Sequence, residues 1–206
     1  SNGVLGSKAG VADNAFDATN ASPVVSGECI VKANNTQHRW SWTGLNLGNI
    51  AIRFYLTLRG APSGTSTLME ARDGSNRIFG LSINTSLQVG LRNSSNSAVY
   101  TSGALTLGRL YCIDLWKSSG NNTVQVRILD VANGAEMSGS GSPGSASNVT
   151  VVEFGQISGT NSGIQRYSHM RVDDTASRIG EYVTEEGDFD TAFTRQCQAG
   201  GQAFLA

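Results

Sequence analysis

The sequence has little charge, little cysteine and no long apolar segment. Only 15% of its 206 residues are charged, and the 15 Lys and Arg nearly balance the 16 Asp and Glu. The near-zero net charge and the lack of a Lys/Arg run exclude the basic patch that nucleic-acid binding requires. No apolar stretch approaches the ~18 residues of a membrane-spanning helix. The sequence therefore predicts no nucleic-acid partner and no membrane partner.

Cysteine is scarce, and its spacing indicates no metal or redox motif. The three cysteines are Cys29, Cys112 and Cys197, with no CxxC pair among them. An odd number argues against a closed disulfide framework. Cys112 lies in an apolar, strand-like run, which predicts a buried and unreactive thiol. Whether Cys29 and Cys197 form a disulfide between the two ends of the chain stays open.

Small polar residues and short strands dominate what is present. Ser, Thr, Asn and Gly supply 82 of the 206 residues, and such residues favour turns and β-surfaces over helices. Apolar residues alternate with others over nine residues in Ile50–Leu58, the pattern of a strand with one face on a core. Further segments with strand patterning are 79–83, 87–91, 111–115, 124–128, 149–157 and 166–172 and, more weakly, 28–32, 37–42, 67–72 and 98–102.

About ten or eleven short strands separated by turns, without a convincing helical period, predict one all-β domain built as a two-sheet antiparallel sandwich. The Ser/Gly-rich segment 137–147 resembles a linker, but strand patterning resumes directly after it. We therefore expect a long mobile loop there. The predicted organisation is an N-terminal arm over 1–22, the sandwich over 23–183 and a C-terminal tail over 184–206.

The order of several segments carries a family resemblance. Together they resemble the concanavalin A-like, laminin-G-like jelly-roll domains of actinobacteria and of the tail and surface proteins of their bacteriophages, over roughly residues 16–182. The resemblance implies two antiparallel sheets of about six strands. Members often carry an acidic residue in the strand before a final Ile-Gly, whereas Ser168 or His169 stands there in this chain. The segments are 39–42, 50–56, 68–74, 83–89, 109–114 and 170–174 leading to Ile179-Gly180.

No catalytic constellation is evident, and the sequence predicts a protein that is not an enzyme. A glycosidase needs two carboxylates at a defined separation, and the nearest approach is the Gly-interrupted acidic run 185–190. A proton-transfer pair of His169 and Tyr167 is an alternative, although we expect His169 to be a surface or rim residue. Nucleophile-elbow, zinc-protease, P-loop and dinucleotide motifs do not occur. The motifs predict no cofactor.

Calcium is the one ion that the acidic residues would suit, because it prefers several carboxylate and carbonyl oxygens. If the first and last strands lie side by side, two pairs of aspartates would meet. The alternative is that Asp173 and Asp174 form an Asx-type turn, which is the reading we favour. The four residues are Asp13, Asp17, Asp173 and Asp174.

Glycan binding would require exposed aromatic rings beside polar partners. Trp116 follows Ile113 and Leu115 in a strand but points away from them, and Tyr55 points away from the apolar set of Ile50–Leu58. Trp116, Tyr55 and Tyr100 are therefore the candidate carbohydrate-binding residues, against the alternative of ordinary sheet packing.

Two functions follow as expectations. The family resemblance implies a non-enzymatic bacteriophage virion surface protein, either a capsid decoration or a minor tail protein, located on the virion surface or otherwise extracellular. It would dock onto capsid or tail subunits through apolar C-terminal side chains, and self-association as a trimer or dimer is compatible with that role. The alternative is an adhesin module that binds host-surface carbohydrate. The candidate docking residues are Phe189, Phe193, Phe204 and Leu205.

Overall fold

The computed structural model of the protein describes residues 13–17, 30–32, 39–155, 163 and 165–180, with side chains from Ser41 onward. These residues form strands joined by turns and loops. Among them no helix is long and apolar enough to cross a membrane. The strands are β1 (Asp13–Asp17), β2 (Ile30–Lys32), β3 (Arg39–Thr43), β4 (Ile50–Leu58), β5 (Ser66–Asp73), β6 (Asn76–Ile83), β7 (Gln88–Asn93), β8 (Ala98–Ala104), β9 (Leu110–Lys117), β10 (Val124–Asp130), β11 (Glu136–Gly141), β12 (Val151–Gly155) and β13 (Gln165–Asp173).

The strands form two sheets packed as a sandwich, which confirms the predicted fold class. The seven-stranded sheet has the order β1-β3-β12-β5-β6-β7-β8, and the six-stranded sheet has the order β11-β10-β9-β4-β13-β2. Pairing is antiparallel throughout the described ladders except between β1 and β3, which run parallel. Residues Asp13–Asp17, which the prediction assigned to an N-terminal arm, are thus a strand of the seven-stranded sheet.

An aromatic cluster joins the two sheets at the centre of the core. The Phe154 ring of β12 lies 5.3 Å, centroid to centroid, from both Trp42 of β3 and Phe54 of β4, in edge-on arrangements. Tyr167 of β13 completes the cluster at 5.8 Å from Phe54. Its hydroxyl donates to Gln165 Oε1 at 2.6 Å, so the one polar atom of this ring is satisfied inside the core.

The prediction of a mobile loop over 137–147 was wrong for its first half, which contains β11. The cause lies in the inward positions of β11, where glycine stands opposite large side chains of β8. A Cβ atom added to Gly139 would lie 2.2 Å from the Tyr100 ring, and one added to Gly141 would lie 2.3 Å from Val99 Cγ2. Glycine lets the edges of the two sheets meet, but it also removes the apolar alternation by which a strand is predicted.

Candidate functional site

The outer face of the six-stranded sheet presents three parallel rows of side chains. Each row crosses β11, β10, β9, β4 and β13, because the paired residues of neighbouring antiparallel strands stand side by side. We name each row by one member. The Trp116 row is Ser140, Gln125, Trp116, Ala51 and Asp173; the Asp114 row is Ser138, Arg127, Asp114, Arg53 and Arg171; the Tyr55 row is Glu136, Leu129, Cys112, Tyr55 and Ser168.

The Trp116 row is the accessible one. Gln125 and Ser140 are exposed, and Trp116 and Asp173 are partly exposed. Ala51 stands between Trp116 and Asp173 in the register, and it is fully buried because neighbouring groups cover it. Asp173 is held in place, because its Oδ2 accepts from Arg171 at 2.5 Å and its Oδ1 accepts from the Asp174 backbone at 2.9 Å.

The Asp114 row is a buried charge network that fixes the chain after β13. Asp114 is fully buried, and its Oδ1 accepts from the Gly180 backbone N–H at 3.2 Å. Arg53 Nη1 donates to the Gly180 carbonyl at 3.2 Å, and Arg127 Nη1 lies 3.6 Å from Asp114 Oδ2. Burial raises the pKa of the Asp114 carboxyl, against the lowering effect of the Gly180 hydrogen bond and of Arg127. Gly180 is thereby anchored to the face that carries Trp116.

The centre of the Tyr55 row is buried, which corrects the prediction that Tyr55 is an exposed sugar-binding ring. Tyr55 is 1% exposed and clusters with Leu110 and Cys112 on this outer face. The prediction assumed that the sheet face opposite the core is exposed to solvent. On this sheet, apolar and charged side chains of that outer face cover Tyr55. The Arg53 guanidinium lies 5.9 Å from the centre of the Tyr55 ring. The buried thiol expected for Cys112 is confirmed.

His169 stands in a β-bulge of β13, and the expectation of a rim histidine was wrong. It is 6% exposed, with its ring 5.8 Å from that of Tyr55. The register shifts between Ser168 and Arg171, and the φ of His169 is +46°, in the left-handed region. This bulge turns Met170 into the core and leaves His169 on the outer face, whereas Tyr167 packs in the core. The proposed proton-transfer pair of His169 and Tyr167 is therefore not formed.

His169 should make the protein sensitive to mild acid. Burial, together with the nearby Arg53 charge, lowers its pKa to about 4. The unfolded chain takes up this proton from about pH 6.5 downward, so folding stability falls as the pH drops from 6.5 toward 4. The raised pKa of Asp114 has the opposite effect on folding stability. As the pH falls, the folded state binds the Asp114 proton at a higher pH than the unfolded chain does, which stabilises the fold.

We expect a loss of about 1–2 kcal/mol from pH 7 to pH 5, measured by urea unfolding. His169→Asn should keep the left-handed backbone and show a flatter profile over this range. An equally steep profile in the variant would contradict the assignment.

Tyr100 lies elsewhere than predicted. It is opposite Leu91 on the inner side of the seven-stranded sheet, where it packs against the core and covers Gly139. Tyr100 is partly exposed because it lies at the edge of the sandwich, between β8 of one sheet and β11 of the other. Of the three predicted aromatic residues, Trp116 alone retains the expected accessible position on the outer face.

The aspartates predicted for calcium do not come together through strand pairing. Asp13 and Asp17 lie on β1, which pairs with β3, whereas β13 with Asp173 pairs with β2 and β4 in the other sheet. No group of three or more His, Cys, Asp or Glu able to hold a metal occurs among the described residues. Calcium binding stays a prediction without a site in that part of the chain.

A second polar cluster, not predicted from sequence, lies on the outer face of the seven-stranded sheet. Glu153 of β12 and Glu70 of β5 are paired across neighbouring strands. Arg72 Nη1 lies 2.9 Å from Glu153 Oε2 and 3.7 Å from Glu70 Oε2. Arg77 Nε donates to Glu70 Oε1 at 2.8 Å, and Ser41 Oγ donates to Glu153 Oε1 at 3.2 Å. Each glutamate occupies an outward position in a strand whose inward residues are apolar. The pairing of β5 with β12, however, cannot be predicted from the sequence.

The C-terminal docking residues Phe189, Phe193, Phe204 and Leu205 lie outside the described residues, as do the acidic run 185–190 and the candidate disulfide partners Cys29 and Cys197.

No family model and no curated protein matches the chain. Solved structures with a similar fold include a sialidase, with 12% identity over 75% of this chain, 16% of that chain and a TM-score of 0.59. Trypanosoma rangeli sialidase in complex with 2,3-difluorosialic acid has 14% identity over 76% of this chain and 31% of that one, with a TM-score of 0.53. A mutant of that sialidase with trans-sialidase activity has 13% identity over 89% and 30%, with a TM-score of 0.51.

The chain thus spans less than a third of these sialidases. They share its β-sandwich. At this identity the similarities show the β-sandwich fold alone.

Proposed function

We propose that the chain is a non-catalytic carbohydrate-binding module that acts on the surface of a bacteriophage virion. The observation that carries the proposal is the Trp116 row. In that row an indole ring, an amide, a hydroxyl and a carboxylate are each exposed or partly exposed, while Ala51 between the ring and the carboxylate is covered. A sugar ring needs an apolar surface for its C–H groups and polar partners for its hydroxyls, and this row offers both.

The ligand that suits the Trp116 row is a neutral glycan. Its carboxylate, Asp173, accepts hydrogen bonds from hydroxyl groups and repels a second anion. The nearest cation of the neighbouring row, Arg171, is already paired with Asp173. Neutral wall polysaccharide of the host is therefore the proposed partner class.

The two glutamates of the other sheet support a non-catalytic function. A glycosidase pair must offer one carboxyl to the leaving-group oxygen and another to the anomeric carbon or a water. All four carboxylate oxygens of Glu70 and Glu153 are within reach of Arg72, Arg77 or Ser41 in the folded protein. The pair therefore acts as a structural ion network in this proposal.

The virion location is proposed from the family resemblance of the sequence. In that role the sandwich is displayed on the phage capsid or on the phage tail. The C-terminal segment of this chain, residues 184–206, contacts the neighbouring virion subunits. The low charge and the abundance of Ser, Thr, Asn and Gly agree with an exposed particle surface. Deletion of residues 185–206 is expected to abolish incorporation into particles, and normal incorporation would refute docking through this segment.

The experiment is a binding panel with the full chain. Neutral, uronic-acid-containing and sialylated polysaccharides are immobilised and tested in calcium and in EDTA, with reducing ends measured in parallel. We expect saturable binding to a neutral polysaccharide of the actinobacterial wall, without release of reducing ends. Absence of binding to every neutral polysaccharide, or cleavage of one, would contradict the proposal.

A further inference from the structure

Arg92 of β7 lies on the outer face of the seven-stranded sheet, away from the Trp116 row. Its Nε donates to Ser82 Oγ at 2.8 Å and its Nη1 donates to the Asn96 carbonyl at 3.3 Å. A Cβ atom on Gly90 would lie 3.4 Å from Nε and 3.7 Å from Nη2. The missing side chain at Gly90 therefore lets the guanidinium fold back close over its own strand, where two hydrogen bonds fix it.

The charge of Arg92 is not balanced by an acidic residue in the part of the chain that the structure describes. Two other arginines of this face, Arg72 and Arg77, are paired with Glu70 and Glu153. Arg92 contacts neutral oxygens of Ser82 and Asn96. Among the side chains that the structure describes on this face, Arg92 is therefore a guanidinium held without a carboxylate partner.

Hydroxyl-bearing residues stand on the neighbouring strands beside Arg92. The row of paired residues Thr67, Ser82, Gly90 and Thr101 crosses β5 to β8 at the place where the guanidinium lies. Thr101 is exposed and Thr67 is partly exposed. The site thus combines a fixed cation with hydroxyl donors and acceptors on the outer surface of the sheet.

We propose that Arg92 binds the carboxylate of an acidic saccharide. Two of its five N–H donors are used within the protein, which leaves three for a ligand. A planar guanidinium matches a carboxylate in a two-bond arrangement, and one that is held in place loses little freedom on binding. The hydroxyls of Thr67 and Thr101 are partners for the hydroxyls of the same sugar. This second site differs in ligand charge from the neutral-glycan site and does not depend on it.

The test is calorimetric titration of the full chain with tri-galacturonic acid and with its methyl ester, which has the same sugar chain but carries no charge. We expect the acid to bind and the ester to bind at least about tenfold more weakly. Arg92→Gln should lose at least about tenfold in affinity for the acid. The control is Arg109→Gln, which removes an exposed guanidinium, paired with Asp130, in the loop before β9 of the other sheet. Trp116→Ala should bind the acid like the wild type.

Thermal melts establish that each variant is folded, and Arg92→Lys keeps the charge while removing the two-bond geometry. A folded Arg92→Lys variant with intermediate affinity supports the proposal. Four results would overturn it: no binding of the acid, equal binding of the ester, an equal loss in Arg109→Gln, or equal binding of a hexaglutamate peptide. Because Trp116→Ala separates the two sites, failure here leaves the neutral-glycan proposal standing, and the reverse also holds.

Discussion

Replacing Asp114 with alanine is expected to lower the free energy of unfolding by about 2–3 kcal/mol. The substitution leaves a cavity beside the buried Arg127 and removes the acceptor for the Gly180 N–H. Arg127 keeps its ion pair with Glu136 at 2.6 Å, so the loss comes from the cavity and from the unsatisfied Gly180 N–H. Urea unfolding at pH 7 measures the change.

Two variants bracket the Asp114 result. Asp174→Ala removes an exposed carboxylate on the same side of the molecule and should change stability by less than about 0.5 kcal/mol. Asp114→Asn keeps an acceptor for Gly180 and should lose less than the alanine variant. If Asp114→Ala is as stable as Asp174→Ala, the Asp114 row does not anchor the chain after β13.

Replacing Trp116 with alanine is expected to weaken binding of a neutral wall polysaccharide at least tenfold, or about 1.4 kcal/mol. The ring supplies the apolar surface of the Trp116 row, and the remaining members of that row are small or polar. Affinity is measured by titration of the full chain with the best ligand of the panel. Trp116→Phe should retain part of the affinity, because a smaller aromatic face remains.

The control for Trp116 is Leu107→Ala, which removes an exposed apolar side chain, 44% accessible, outside the rows. It should bind like the wild type. Equal affinity of Trp116→Ala and wild type would place the sugar elsewhere on the molecule.

The strands with strong alternation could be predicted from the sequence. Ile50–Leu58 is β4 with its predicted bounds, and the predicted hairpin over 79–91 is formed by β6 and β7. β11 could not be predicted from apolar alternation, because Gly139 and Gly141 take its inward positions. Alternation detects a strand by its apolar side chains. It cannot detect a strand whose inward positions are glycines that pack through their backbone.

The site was predictable in part, for a similar reason. Alternation places Trp116 and Tyr55 on one outer face, but it does not say which parts of that face are covered. Tyr55 is buried beside Leu110 and Cys112, while Trp116, two rows away, remains accessible. The pairing of Glu70 with Glu153 joins residues 83 positions apart, and it depends on a strand order that no local pattern encodes.

The most direct test of the account is ¹⁹F NMR of the full chain labelled with 5-fluorotryptophan and titrated with a neutral wall polysaccharide. Trp116→Phe and Trp42→Phe assign two of the resonances. We expect the Trp116 resonance to shift saturably, while that of Trp42, which is 3% exposed in the core, stays unchanged. A bound polysaccharide that leaves the Trp116 resonance unmoved would contradict carbohydrate binding at the Trp116 row.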